Sequence, residues 1–152
     1  MKRRKMAVTS MDEPIAELAG RTGHKTLAIW AADCAERALP HFEEKYPHDP
    51  RPRRAIEALR EWVRTGVFRM ADVRHASLAA HAAARDVAED DAARSAARAA
   101  GQAMATAHVP AHAIAAAIYA ATAVRDATNS SDATLREREW QYQHLLELME
   151  NG

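Results

Sequence analysis

The chain has 152 residues, with 21 acidic and 21 basic side chains, so its formal net charge is zero. This length predicts one domain with a sizeable core. The neutral balance argues against a dedicated nucleic-acid-binding protein, which would be strongly basic. The sequence shows no uninterrupted apolar stretch that spans a membrane and no signal peptide. Its single cysteine, Cys34, excludes an internal disulfide and fits a cytoplasmic protein.

Helix signals divide the chain into an N-terminal segment and one helical domain. Residues 1–10 are expected to be disordered or loosely attached, and residues 11–152 are expected to form the domain. Helices are predicted at residues 12–19, 24–47, 52–64, 70–88, 91–107, from 110 to just before 128, and 133–150. Pro40 should kink or split the second of these, because proline has no amide hydrogen to donate. The predicted fold class is all-α, a single compact domain of six to seven helices without strands.

Alanine makes up about a quarter of the chain and nearly half of residues 71–127. It is the best helix former, yet its side chain is too small to fill a core alone. We therefore expect the fifth helix at the centre, crossed closely by the fourth and sixth and covered by larger side chains of the second, third and seventh. Its buried ridges are predicted to be Ala93, Ala97, Ala100 and Met104, and Ala92, Ala96, Ala99 and Ala103.

Gly101 lies within this fifth helix. Glycine there costs about 0.5–1 kcal/mol relative to alanine. The expected compensation is close approach by the backbone of a neighbouring helix.

The seventh predicted helix carries an apolar stripe and a tryptophan that lies off it. The stripe comprises Leu135, Tyr142, Leu145, Leu146 and Met149. Trp140 falls on the opposite side of the helix. It is either a partly exposed side chain, of the kind that often anchors interfaces, or is covered by the N-terminal segment or the first helix.

Polar residues within the alanine-rich stretch are the candidates for a binding site. His81 and Arg85 are four residues apart on a small-residue helix, where they either line a pocket together with Tyr119 or occupy the surface. His108 and His112 have the four-residue spacing of a metal-binding pair. Pro110 lies between them at the expected helix start, and no third ligand is assigned. We therefore predict neither a metal site nor a cofactor.

No catalytic motif is recognisable in the sequence. A di-iron bundle would need Glu-x-x-His pairs, and none occurs. A Gly-rich phosphate loop, a nucleophile elbow and a helix-turn-helix signature are also missing. The sequence therefore predicts that the protein is not an enzyme.

Four segments resemble the Imm-5-like family of immunity proteins. They are residues 30–43 (WAADCAERALPHFE), 49–53 (DPRPR), 79–85 (AAHAAAR) and 100–109 (AGQAMATAHV). The resemblance extends over roughly residues 24–148. It implies a small bacterial cytoplasmic protein that neutralises a cognate toxin by binding it.

The residues themselves leave a second hypothesis open. In this alternative the protein is a small-ligand-binding or regulatory helical domain. Its pocket would be lined by His81, Arg85, His108, His112 and Tyr119.

Overall fold

The computed structural model describes residues 5–152 and is all-helical, which confirms the predicted fold class. The helices are α1 (Asp12–Gly20), α2 (His24–Ala38), α3 (Pro40–Glu43), α4 (Arg51–Thr65), α5 (Met70–Asp86), α6 (Asp91–Ala105), α7 (His112–Thr128) and α8 (Ser131–Asn151). This part of the chain contains no strand, and none of its helices combines the length and apolar character needed to cross a membrane.

Pro40 divides the second predicted helix, as its chemistry indicated. Helix α2 ends at Ala38, and the one-turn α3 begins at Pro40. Leu39 between them keeps right-handed helical angles, φ −54° and ψ −37°, so the chain bends without leaving the helical region. Since α3 packs against α6, the bend places Phe42 in the core, where it is 1% exposed.

Helix α6 lies at the centre of the domain, as predicted. It packs most extensively against α7 and α5, and it also contacts α2, α3 and α4. Every residue of its two predicted alanine ridges is buried. Larger side chains complete this core, among them Trp30 of α2 and Ile56 and Leu59 of α4. Burial of each aliphatic side chain of this size is worth about 1.5–3 kcal/mol.

The buried face of α8 corrects the predicted apolar stripe. Its buried residues are Thr134, Arg138, Gln141 and Leu145. The other members of the predicted stripe, Leu135, Tyr142, Leu146 and Met149, are only partly buried. Leu145 is buried as predicted. The other positions were wrong because the prediction selected residues by hydrophobicity alone, whereas polar side chains can be buried when their hydrogen bonds are satisfied.

Arg138 and Gln141 join α8 to three other helices. Arg138 donates from Nη1 to Gln141 Oε1 at 2.7 Å and from Nη2 to Asp12 Oδ1 of α1 at 3.1 Å. Gln141 Nε2 donates to the Ala117 carbonyl of α7 at 2.9 Å, and the Gln141 carbonyl accepts from Trp30 Nε1 of α2 at 2.8 Å. Burial lowers the pKa of Arg138, and its hydrogen bond with Asp12 opposes that effect. These bonds fix the position of α8 on the domain.

Part of the N-terminal segment packs on the helices. Ala7 is buried, and its N–H donates to Thr122 Oγ1 of α7 at 3.0 Å. The Thr9 N–H donates to Asp12 Oδ2 at 3.2 Å, next to the start of α1. Residues 1–4 of the segment that we expected to be disordered or loosely attached lie outside the described residues.

Candidate functional site

His81 of α5 packs across α6 and makes a polar contact between these two helices. Its Nδ1 lies 2.9 Å from Nη1 of Arg98 on α6. A guanidinium group can only donate, so Nδ1 must accept this hydrogen bond. The imidazole is therefore neutral, with its proton on Nε2, and Nε2 lies over Gly101.

Gly101 corrects the prediction of a close backbone approach. A Cβ atom at this position would lie 2.7 Å from Nε2 of His81 and 2.9 Å from its Cδ2 and Cε1 atoms. The side chain that occupies this space is thus the imidazole of the neighbouring helix. Nearby, Ser77 Oγ donates to the Gly101 carbonyl at 2.9 Å. The sequence showed that a close contact was needed but did not show which group would make it.

The structure brings three of the predicted site residues to one place. The pKa of His81 is lowered from 6.5 to about 4, because burial disfavours its charged form and Arg98, Arg85 and His112 add positive potential. Arg85 is exposed one turn after His81 on α5, and His112 contacts Gln102, the residue that follows Gly101 beneath the His81 ring. The contact between Nδ1 of His112 on α7 and Oε1 of Gln102 on α6 measures 2.7 Å. At neutral pH this cluster therefore contains an uncharged histidine beside two arginines.

His108 does not join this cluster. It is exposed, and its ring stacks on Phe68 with a centroid distance of 6.0 Å. Helix α7 begins only at His112, so His108 lies in the turn before it and the two imidazoles do not share a helical face. No group of three or more His, Cys, Asp or Glu side chains among residues 5–152 is placed to hold a metal ion.

Tyr119 lies at a small cleft next to the His81 cluster. The cleft is lined by Tyr119, Arg94, Arg98, Asp91, Asp126, Ser95 and Met6. Its volume is about 120 Å³, well below the roughly 300–1,000 Å³ of typical ligand pockets. Arg94 is already engaged there, donating to Asp91 Oδ1 at 2.6 Å and to the Ala88 carbonyl at 3.0 Å. Of the predicted pocket residues only Tyr119 lines this cleft, which is too small for most metabolites.

Trp140 lies on a different surface and is covered by α2. The guanidinium carbon of Arg37 lies 3.8 Å from the Trp140 ring centroid, a cation–π contact. His144 stacks on the same indole with a centroid distance of 4.6 Å. Arg37 also forms a two-pronged ion pair with Glu137, at 2.8 and 2.9 Å. Trp140 is partly exposed, and Arg37 of α2 and His144 of α8 hold its indole ring.

An apolar pocket between α4 and α5 was missed by the sequence reasoning. Its volume is about 340 Å³. The apolar lining residues are Ala58, Trp62, Val67, Val73 and Met104, and the polar ones are Glu61, Thr65, Arg69 and Asp72. Trp62 is held by a tilted contact with the His24 ring, 4.8 Å between centroids. The sequence feature that could have indicated this pocket is Val67-Phe68, two large apolar residues directly after Gly66, where the helix ends.

Exposed apolar side chains concentrate around this pocket. Within residues 5–152 the large exposed apolar residues are Met6, Val8, Val67, Phe68, Met70, Leu78 and Val109. Val67, Phe68 and Met70 belong to the turn that enters α5. Val109 follows His108, whose ring stacks on Phe68, so it adjoins the same surface. We call Val67, Phe68, Met70 and Val109, with the adjacent pocket, the turn surface.

Comparison with protein families matched the chain to a family model described as Imm-5 like putative immunity protein, over residues 17–148. The matched range runs from within α1 to near the end of α8. It includes all the predicted site residues and all four segments on which the resemblance was based. Comparison with curated proteins and with solved structures gave no match.

Proposed function

The chain belongs to the Imm-5-like putative immunity protein family, and we propose that it neutralises a cognate toxin by binding it directly. The observation that carries this proposal is the family match over residues 17–148, nearly the whole chain. Neutralisation by binding requires a stable surface and no catalysis. We also propose that it acts in the bacterial cytoplasm, which fits a chain whose single cysteine is a buried free thiol.

The surface properties of the domain support a binding role. A standard protein–protein interface buries about 800 Å² on each partner, roughly a tenth of the 8050 Å² accessible surface of this chain. Interfaces are typically anchored by large apolar or aromatic side chains. Two surfaces offer such anchors: the turn surface and the surface around Trp140, where Arg37 and His144 hold the indole.

The small-ligand alternative has weaker support. His81, Arg85 and His112 are close together, but the cleft beside them measures only about 120 Å³. Arg98 and Gln102, which would offer hydrogen bonds to a ligand, contact His81 and His112 of this chain. The arrangement is that of a packed contact between α5, α6 and α7, so we base the proposed function on protein binding.

The proposal is tested with the product of the gene adjacent to the one that encodes this chain. That product is expressed from an inducible promoter in a bacterial host, with and without the chain. We expect its expression to arrest growth and coexpression of the chain to restore it. The two purified proteins should form a complex that elutes as one species in size-exclusion chromatography, with an affinity measurable by calorimetry.

Two controls make this experiment decisive. An unrelated toxin should remain toxic in the presence of the chain, which excludes a general effect on expression. A chain that folds but neither restores growth nor forms a complex with the adjacent product would refute the proposal.

A further inference from the structure

We propose that the turn surface is where the cognate toxin docks, and that the toxin inserts one large apolar side chain into the 340 Å³ pocket and places carboxylates beside Arg69 and Arg74. This inference rests on the proposed function and assigns its binding surface. It commits to a partner with an apolar anchor residue flanked by acidic residues.

The turn surface combines an apolar pocket with an exposed apolar rim. Trp62, Val73 and Met104 line the pocket and give it an apolar wall. At the rim, Val67 is 60% exposed and Phe68 is 41% exposed, although both are large apolar residues in a turn. Removing these apolar side chains from water on binding a partner is favourable. Most of the binding free energy of an interface comes from a few anchor side chains that fill pockets.

Two arginines beside the pocket, Arg69 and Arg74, determine the charge of this surface. Helix α4 carries five arginines, and Arg51, Arg53, Arg60 and Arg64 each pair with a carboxylate of this chain. By contrast, Arg69 and Arg74 have no ion pair within residues 5–152. Arg69 lines the pocket, and Arg74 lies one helical turn after Met70. Glu61 pairs with Arg64, so Asp72 is the one carboxylate lining the pocket without an ion pair within residues 5–152. Arg69 and Arg74 together outnumber it, which leaves an excess of one positive charge at this surface.

This charge distribution determines which partner fits. Complementary potentials speed encounter and select between partners, while like charges suppress binding. Arginine is well suited to this role because its guanidinium group can bind a carboxylate through two parallel hydrogen bonds. A toxin surface with an aromatic or long aliphatic residue beside Asp or Glu would therefore match both parts of the turn surface.

The test measures binding of the purified adjacent-gene product to the full chain and to four variants. Val67→Asp places a charge at the mouth of the pocket, and Arg69→Glu reverses the charge at its rim. Val8→Asp is the matched control for the first, because Val8 is 86% exposed on the N-terminal segment. Arg136→Glu is the matched control for the second, because Arg136 is exposed on α8, which packs mainly against α7, α1 and α2.

All four substitutions are at exposed positions, so folding should be preserved, and circular dichroism with a thermal melt verifies this. We expect Val67→Asp and Arg69→Glu each to weaken binding at least tenfold, and the two controls to change it less than twofold. Raising the salt concentration should weaken the wild-type complex more than the Arg69→Glu complex, because that variant lacks one of the attractive charges.

The outcomes separate this inference from the function on which it rests. If the wild-type chain binds and restores growth while both turn-surface variants bind equally well, the inference is overturned and the proposed function stands. A comparable loss of affinity in the control variants also overturns it. If the wild-type chain alone forms a dimer that Val67→Asp dissociates, the surface binds a second copy instead. If the wild-type chain neither binds nor protects, the proposed function itself fails.

Discussion

Replacing Gly101 by alanine tests the contact between α5 and α6 directly. The added Cβ atom would lie 2.7 Å from Nε2 of His81, closer than carbon and nitrogen atoms can approach without strain. The imidazole lies at the end of a rotatable side chain, so it can swing away. To do so it must leave the space over α6 and give up its 2.9 Å hydrogen bond with Arg98.

Two opposing terms determine the size of the effect. Alanine stabilises a helix interior by about 0.5–1 kcal/mol relative to glycine, whereas overpacking a close contact costs about 1–3 kcal/mol. We therefore expect Gly101→Ala to destabilise the wild-type chain by about 1 kcal/mol. In a His81→Ala background the obstruction is gone, and the same substitution should stabilise the protein by about 0.5–1 kcal/mol. The sign of the effect thus depends on one imidazole.

The measurement is a double-mutant cycle of four proteins unfolded in urea and followed by circular dichroism. The change in unfolding free energy is read from the transition midpoint at constant slope, and the coupling between the two positions from the cycle. If Gly101→Ala destabilises both backgrounds equally, the space at Gly101 is limited by a group other than His81. If it stabilises both, the imidazole does not pack on Gly101, and the account of this contact is refuted.

Three further predictions concern the polar contacts of the fold. The pKa of His81 is about 4 in the folded chain, whereas its ordinary value is 6.5. As the pH falls, the unfolded state therefore binds a proton before the folded state does. The stability that is present above pH 6.5 is lost between about pH 6.5 and 4. The full pKa shift would correspond to a loss of about 3 kcal/mol in the free energy of unfolding. Because the ring is partly exposed to solvent, we expect a loss of about 1–2 kcal/mol. Urea unfolding at pH 7 and at pH 4.5 measures this difference. Arg138→Ala should cost about 2–4 kcal/mol in the same assay, because the Gln141 side-chain oxygen loses the Arg138 donor and Asp12 keeps only its hydrogen bonds from Thr9. Arg138→Met, which keeps the volume filled, should cost less. Asp90→Ala and Ser130→Ala should each lower the unfolding free energy by about 1 kcal/mol, because these side chains accept the Ala93 and Ala133 N–H groups at the starts of α6 and α8.

Each of these predictions has a matched control. The pH-dependent loss should shrink in His81→Ala, and an equal loss in that variant would assign it to other titrating groups. Equal stabilities for Arg138→Met and wild type would show that the hydrogen bonds of Arg138 contribute little. Asp90→Asn keeps an oxygen that caps the helix and should cost less than Asp90→Ala; equal losses would indicate that the negative charge matters more than the hydrogen bond.

The positions of the helices were readable in the sequence because their signals are local. Alanine favours helix through its own backbone, Pro40 removes an amide hydrogen at its own position, and Ser130 caps the N–H three residues later. The helical ridges of α6 followed from the 3.6-residue period. These effects act within one or two turns of the chain, so no knowledge of the neighbouring helices was needed.

The candidate site residues were only partly predictable. His81, Arg85 and His112 stood out as polar residues in an alanine-rich stretch. The structure places His81 over Gly101 and His112 against the adjacent Gln102, with Arg85 exposed one turn along α5 from His81. The pocket beside Val67 was missed, because it forms only when the end of α4, the start of α5 and Met104 of α6 are packed together. Residues from three helices line it, and no local pattern reports their mutual distances.

What the sequence by itself determined is therefore the helical content, the breaks between helices and the need for close packing at α6. Only the tertiary structure decided that His81 fills the space over Gly101, that Arg37 covers Trp140 and that Arg138 is buried. The Arg138 hydrogen bond to Asp12 joins residues 126 positions apart. Alanine surfaces fit together at many angles and registers. The partners of distant polar side chains are fixed only when one of those packings brings their donors and acceptors together.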